Sequence, residues 1–228
     1  MNGELGETHE LVLVRHGETV GQSSIRLYGS TDVALAPEGE AQMLAAAQQL
    51  VGRRFDAVFT SPLCRARRSA ELVLATLGHH ELAIEEVADF REIDFGAWEG
   101  WTWDEVRERD PANYARWGCE GGRFCFPGGE VRAEFFARVQ RATAPTIEAR
   151  FAAGARSILA VVHKGVIKAI AARLLGLGVL ELESSSRHAA EWLELPLGAI
   201  RCLRRAGASG VWTIEHLEID THREPPSL

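Results

Sequence analysis

Lysine is almost absent from this chain: among 25 basic residues in 228, only Lys164 and Lys168 are lysine, and the rest are arginine. That bias carries no functional meaning by itself, because base composition produces it as readily as anion binding does. Cysteine is scarce as well. Cys64, Cys119, Cys125 and Cys202 are scattered, with no Cys-x-x-Cys pair and no metal-finger spacing, which argues against a disulfide scaffold and for reduced thiols in a cytoplasm. Long apolar runs are missing. The most apolar stretch, Val166 to Leu182, is broken by Lys168, Arg173 and glycines and falls short of a membrane span. Met1 to Glu10 carries acids and no apolar core, unlike a signal or transit peptide. Positive charge is in deficit too, with a net of −7, which argues against nucleic acid or an anionic membrane as partner. Any cationic site must therefore be local.

What is present is an ordinary globular balance, 46% hydrophobic and 25% charged residues, on a length that suits one domain over 1–228. Flexible tails are expected over 1–9 and 221–228. The most informative segment is Leu11 to Thr19, LVLVRHGET, in which a short apolar run enters Arg15, His16 and Gly17 directly. The run reads as a buried strand and Gly17 as a sharp turn, placing Arg15 and His16 at a strand's carboxyl end, where open α/β sheets bind ligands. An imidazole beside a guanidinium there points to a nucleophile facing an anion. Three residues recur by chance, so the rest of the chain must decide.

Pro37 opens a surface helix with Met43, Leu44, Ala47, Leu50 and Val51 at helical spacing. Phe55 to Thr60 reads as a second buried strand, Cys64 to Leu77 as a helix and Leu82 to Val87 as a third strand. The alternation is that of a parallel sheet with crossover helices. Between Gly96 and Gly129 the pattern turns irregular and rich in Trp and Tyr, as a pocket cap would be. A long helix with Val131, Phe135, Val139 and Ala142 on one face follows, with Pro145 as its kink. Ser157 to Val162 is another buried strand, ending at His163, and Gly165 to Leu175 is a helix. Trp192 to Leu195, Ile200 to Leu203 and Val211 to Leu217 read as strands of an antiparallel edge, which offers a surface for pairing with a second copy.

Four segments thus carry polar residues to places where a parallel sheet would gather them: Arg15 and His16, Arg65, Glu92 and His163. On these residues the chain resembles the histidine phosphatase superfamily, with its phosphoglycerate mutase-like fold. The matching blocks are RHGET at Arg15 to Thr19, then Arg26, Gly29, Asp32 and Leu35, TSPLCRARRSA at Thr60 to Ala70, REIDFGAWEG at Arg91 to Gly100, PGGE at Pro127 to Glu130 and VVHKG at Val161 to Gly165. The resemblance implies an α/β fold, a three-layer α/β/α sandwich with a mostly parallel central sheet, and no metal or organic cofactor. It implies His16 as nucleophile, Arg15, Arg65 and His163 as phosphate clamp and Glu92 as general acid. A small phosphorylated substrate is the partner to expect. Asp89, Asp94 and Glu99 compete with Glu92 for that role, and Glu99 has the further readings of a surface acid or a structural hydrogen-bond partner.

The chain also departs from the family pattern. Gly21-Gln22 replaces a frequent Trp-Asn, with Gln22 and Ser23 still candidates for phosphate contact. Val131 takes the place of a common hydroxyl residue. Lys164 stands where glycine is usual beside His163, as a candidate phosphate contact or a solvated lysine. DFGAWEG, Asp94 to Gly100, resembles the phosphatase branch. Hydrolysis of phosphate monoesters of small metabolites is therefore the expectation, with mutase-type phosphoryl transfer or a non-catalytic phospho-ligand module as alternatives.

Overall fold

The computed structural model describes residues 8–178, 194–207 and 210–215. Six strands form one sheet in the order β3-β2-β4-β1-β5-β6: β1 is Thr8–Arg15, β2 Ala57–Thr60, β3 Ile84–Glu86, β4 Ser157–Val162, β5 Ile200–Ala206 and β6 Trp212–Glu215. The first four in that order run parallel, and β5 and β6 add the expected antiparallel edge. Thr8 and His9, expected in a flexible tail, are paired in β1. The tail over 221–228 lies outside the described residues.

Alternation along β1 divides the core. Leu11 and Leu13 face one apolar cluster, Val12 and Val14 the other, all four fully buried. Both faces of a central parallel strand must be covered, which is why the run is apolar throughout. Helices α1 (Pro37–Gln48) and α2 (Cys64–Leu77) cover the second face. Within α1 and just beyond it, Met43, Ala47 and Leu50 are buried while Leu44 and Val51 are largely exposed, so the apolar stripe is narrower than the sequence pattern suggests. Helices α5 (Arg132–Thr143) and α7 (Lys164–Leu175) cover the first face. The result is an α/β/α sandwich. Pro145 interrupts the long helix as expected, through a π-helical turn at Ala144–Glu148 before α6 (Ala149–Ala152).

Two expectations need correction. The stretch from Gly96 to Gly129 is not irregular: it contains α3 (Trp103–Arg109) and α4 (Pro111–Glu120). A capping box starts α3, with Thr102 accepting from the Glu105 N–H and Glu105 accepting from the Thr102 N–H. Asp110 caps α4, where Pro111 fits because the first helical position needs no N–H donor. Of the strand expected over Trp192 to Leu195, Trp192 and Leu193 lie outside the described residues, and Glu194 and Leu195 belong to no strand. Leu195 instead gives its carbonyl to Arg15, 2.5 Å from Nη1.

Candidate active site

The site forms where β1 and β4, adjacent and parallel, end at the same level. Arg15 is in register with Val162, and the His16 N–H donates to the Val162 carbonyl at 3.0 Å. His16 and His163 therefore leave the sheet side by side, their rings 5.1 Å apart and edge to face. Gly17 is needed here for close approach and not for a special turn: a Cβ on it would lie 2.2 Å from the Gly39 carbonyl oxygen at the start of α1.

His16 is buried, and its Nδ1 lies 2.7 Å from the Gly17 carbonyl oxygen. A carbonyl only accepts, so Nδ1 carries the hydrogen and Nε2 keeps its lone pair. Burial first, then the guanidiniums of Arg65 and Arg15, hold the imidazole well below its ordinary pKa and keep it neutral. His163 is lowered in the same way, by burial, Arg65, His16 and Arg15.

Arg65, in the first turn of α2, is fully buried, although Arg67 and Arg68 on the same helix pair with surface acids. Its Nη1 donates to the Thr31 carbonyl at 2.8 Å and its Nη2 to that of Gly29 at 2.6 Å. The same loop is held from its donor side by Glu99, whose carboxylate accepts from the N–H groups of Gly29 and Ser30 at about 3 Å, and from Phe95. The structural reading of Glu99 is thus the one the geometry bears out. It clamps the loop that clamps Arg65.

Glu92 is 9% exposed, with Oε2 accepting from the Gly165 N–H at 2.9 Å and Oε1 from the Ile93 N–H at 3.0 Å. Each oxygen keeps a further lone pair. Both ring nitrogens of His163, Arg65 Nε and Arg15 Nε are buried without a hydrogen-bond partner among the described residues. Neutral His163 has one ring N–H, so with the two arginine Nε–H groups three buried donors are left unmatched, a costly set that an oxyanion would satisfy.

Above this floor opens a cleft of about 340 Å³. Arg15, His16, Glu92, Ser23 and Lys164 line it, while Arg65 and His163 lie fully buried beneath. Gln22 does not line it. It is exposed, at φ +63° in a turn that Ile25 and Arg26 close onto its carbonyl. Ser23 lines the cleft with its hydroxyl 2.6 Å from that of Thr19. The sequence reading missed Arg132 and Lys168 as cleft residues. Lys168 was legible as one helical turn beyond Lys164, whereas nothing in the sequence marked Arg132. Of the aromatic stretch, Trp103 and Trp117 reach the cleft, their rings 4.5 Å apart, while Trp98 is core, donating from Nε1 to Asp110. Among the described residues no group of three or more His, Cys, Asp or Glu side chains could hold a metal ion, and no helix is long and apolar enough to cross a membrane.

Paired histidines at the carboxyl ends of adjacent parallel strands, with Arg15 beside them and buried Arg65 in the first turn of α2, define a phosphoryl-handling α/β protein. The chain belongs to the histidine phosphatase superfamily (branch 1), whose model matches residues 11–202. It is 33% identical over 175 residues to 2-carboxy-D-arabinitol-1-phosphatase of Triticum aestivum, covering 76% of this chain but 34% of that protein, so it spans about a third of that relative. With the adenosylcobalamin/alpha-ribazole phosphatase of Escherichia coli it shares 32% identity over 168 residues, 73% of this chain and 79% of the relative. The crystal structure of the alpha-ribazole phosphatase from Shigella flexneri superposes with a TM-score of 0.75 at 25% identity, covering 94% of this chain and all of the other.

Proposed function

We propose that this chain is a phosphatase that hydrolyses phosphate monoesters of small metabolites through a phosphohistidine at His16. The observation that carries this reading is the His16 imidazole: neutral, with Nδ1–H held by the Gly17 carbonyl and Nε2 free to attack, between two arginines. The named phosphatases among its relatives support it.

In the first step Nε2 attacks phosphorus as the bond to the ester oxygen breaks, and protonated Glu92 gives its proton to that departing oxygen. Arg15, Arg65 and His163 bind the equatorial oxygens, where charge accumulates in phosphoryl transfer. In the second step water attacks the phosphohistidine, Glu92 takes the water's proton, and inorganic phosphate leaves with His16 restored. Splitting one displacement into two lets a fixed imidazole replace a randomly arriving water in the first. Apart from the attacking water, each group named in these two steps is a side chain of this chain. The four free thiols support placing the chain in the cytoplasm.

The test is phosphate release from a panel of phosphorylated metabolites, with and without EDTA, by the parent and by His16→Ala. Turnover that survives EDTA and collapses in the variant is expected. Turnover unchanged by His16→Ala contradicts the proposal, and isomerisation of 3-phosphoglycerate faster than any hydrolysis replaces it with a mutase.

A further inference from the structure

We propose that Arg138 and Glu130 are positioning residues for the general acid: together they fix the backbone on both sides of Glu92 and so hold its carboxyl where the ester oxygen departs. This rests on the phosphatase reading for what Glu92 does, though not for where it is held.

Glu92 belongs to no helix or strand, and a 3-10 turn at Ala88–Phe90 precedes it. Carbonyls in such a stretch must be satisfied from elsewhere. Arg138 of α5 does this: its Nη1 donates to the Asp89 carbonyl at 2.7 Å and to that of Arg91, the residue before Glu92, at 3.2 Å. The other edge of the same guanidinium is gripped by Glu130, with Nε and Nη2 each 2.9 Å from a carboxylate oxygen. A bidentate pair fixes the plane of the guanidinium, and with it the direction in which Nη1 points. Glu130 also reaches the far side of Glu92. Its N–H donates to the Asp94 carbonyl at 3.0 Å, and its neighbour Gly129 lies so close to Asp94 that a Cβ would come within 2.4 Å of that carbonyl oxygen. One glutamate thus holds the chain after Glu92 directly and the chain before it through Arg138.

A second path runs from Arg138 to the carboxyl itself. The guanidinium lies 5.2 Å from the centre of the Phe135 ring, and that ring packs on Gly165, where a Cβ would come within 2.9 Å of it. The Gly165 N–H is the donor that holds Glu92 Oε2. Neither Glu130 nor Arg138 lines the cleft, so both act through Glu92 and not on the substrate. Their side chains are about one-fifth exposed, which leaves water little access to the pair. An exposed ion pair adds little to stability, whereas this one spends its free edge on the two carbonyls that lead into the acid. Proton donation demands such placement, because a small shift of the donor costs rate steeply.

The test exploits what a general acid is for. Methyl phosphate expels a poor leaving group that needs a proton, whereas 4-nitrophenyl phosphate expels a phenolate that leaves without one. Phosphate release from both esters gives kcat/KM for the parent, Glu92→Gln, Arg138→Met, Glu130→Gln and the double variant Arg138→Met/Glu92→Gln. Arg138→Met is expected to lower kcat/KM for methyl phosphate about tenfold more than for 4-nitrophenyl phosphate, a part of what a general acid supplies. Glu130→Gln should do the same by less. In the Glu92→Gln background the selective loss should vanish, since residues that act through one another are not additive. Hydrogen exchange at the Gly165 and Ile93 amides, both donors to Glu92, should be faster in Arg138→Met, a readout that needs no turnover. Equal losses on both esters, or a selective loss that persists without Glu92, overturns the proposal and leaves the pair as a support for α5 alone. If Arg138→Met does not fold, Glu130→Gln decides by the same ratios and the same amides. If the parent releases phosphate from neither ester, the phosphatase reading fails; faster exchange at the two amides then upholds the positioning, and unchanged exchange overturns it.

Discussion

The floor of the cleft and its aromatic wall are built on opposite principles. The floor hangs on the carboxyl ends of β1 and β4 and on the first turn of α2, with His16, Arg65 and His163 each less than 5% exposed and locked by backbone carbonyls or packing. The wall is carried by two short helices, α3 and α4, outside the sheet, and its Trp103 is 36% exposed. Rigid placement suits a reaction that must align a nitrogen with phosphorus, since small misplacement costs rate steeply. A peripheral wall can vary without disturbing that alignment. In the proposed mechanism the sheet fixes the chemistry, and what is laid over it is free to set the leaving group.

The largest effect should come from breaking the floor at the proposed nucleophile. His16→Ala should lower phosphate release by roughly ten-thousand-fold or more, measured by steady-state assay, in line with the loss of a nucleophile elsewhere. Next is Arg65→Met, which should cost roughly a hundred- to a thousand-fold, as removal of a transition-state donor does. Because Arg65 is among the groups holding the His16 imidazole down, the same variant should show His16 titrating closer to the ordinary imidazole value by NMR. Glu99→Gln, acting through the loop at Gly29, should move both readouts the same way by less.

On the wall, Trp117→Ala should raise KM for bulky esters about tenfold more than for methyl phosphate, with kcat changed little, as expected when about 1.4 kcal/mol of uniform binding is lost. An equal fall in kcat for every ester would mean that the wall takes part in the chemistry. The smallest effect concerns stability. His16 and His163 are held neutral in the folded protein, whereas in the unfolded chain they protonate near pH 6.5, at about the ordinary imidazole value. The unfolded state then binds more protons as pH falls below that value, so stability decreases from pH 7 toward pH 5. A melting temperature lower by several degrees at pH 5.5 than at pH 7.5 is expected, with a shallower dependence in His163→Leu.

The same division governs what the sequence made legible. Strands β1 and β4 were readable because continuous apolar runs end abruptly at Arg15 and His163, and α2 was read at about Cys64 to Leu77 after the Ser61-Pro62 turn. The partnership of His16 with Arg65 and Glu92 came from motif resemblance, since no periodicity says that distant segments meet. Helices α3 and α4 were missed because tryptophans and glycines mask their periodicity, although Thr102-x-x-Glu105 and Asp110-Pro111 were start signals in plain view. Gln22 was placed toward phosphate by its position after the first motif. Its left-handed backbone makes it a turn residue, a property of φ that a glutamine does not announce. Arg132 could be assigned to the cleft only once α5 was seen to pack against α7.

Phosphoryl transfer through His16 can be caught by mixing the protein with a phosphate-labelled monoester, quenching within the turnover time, and mapping the label by mass spectrometry under alkaline conditions. Acid-labile, alkali-stable phosphate is expected on the peptide containing His16, with free phosphate accumulating afterward. Phosphate released with no label on His16 at any quench time would contradict it.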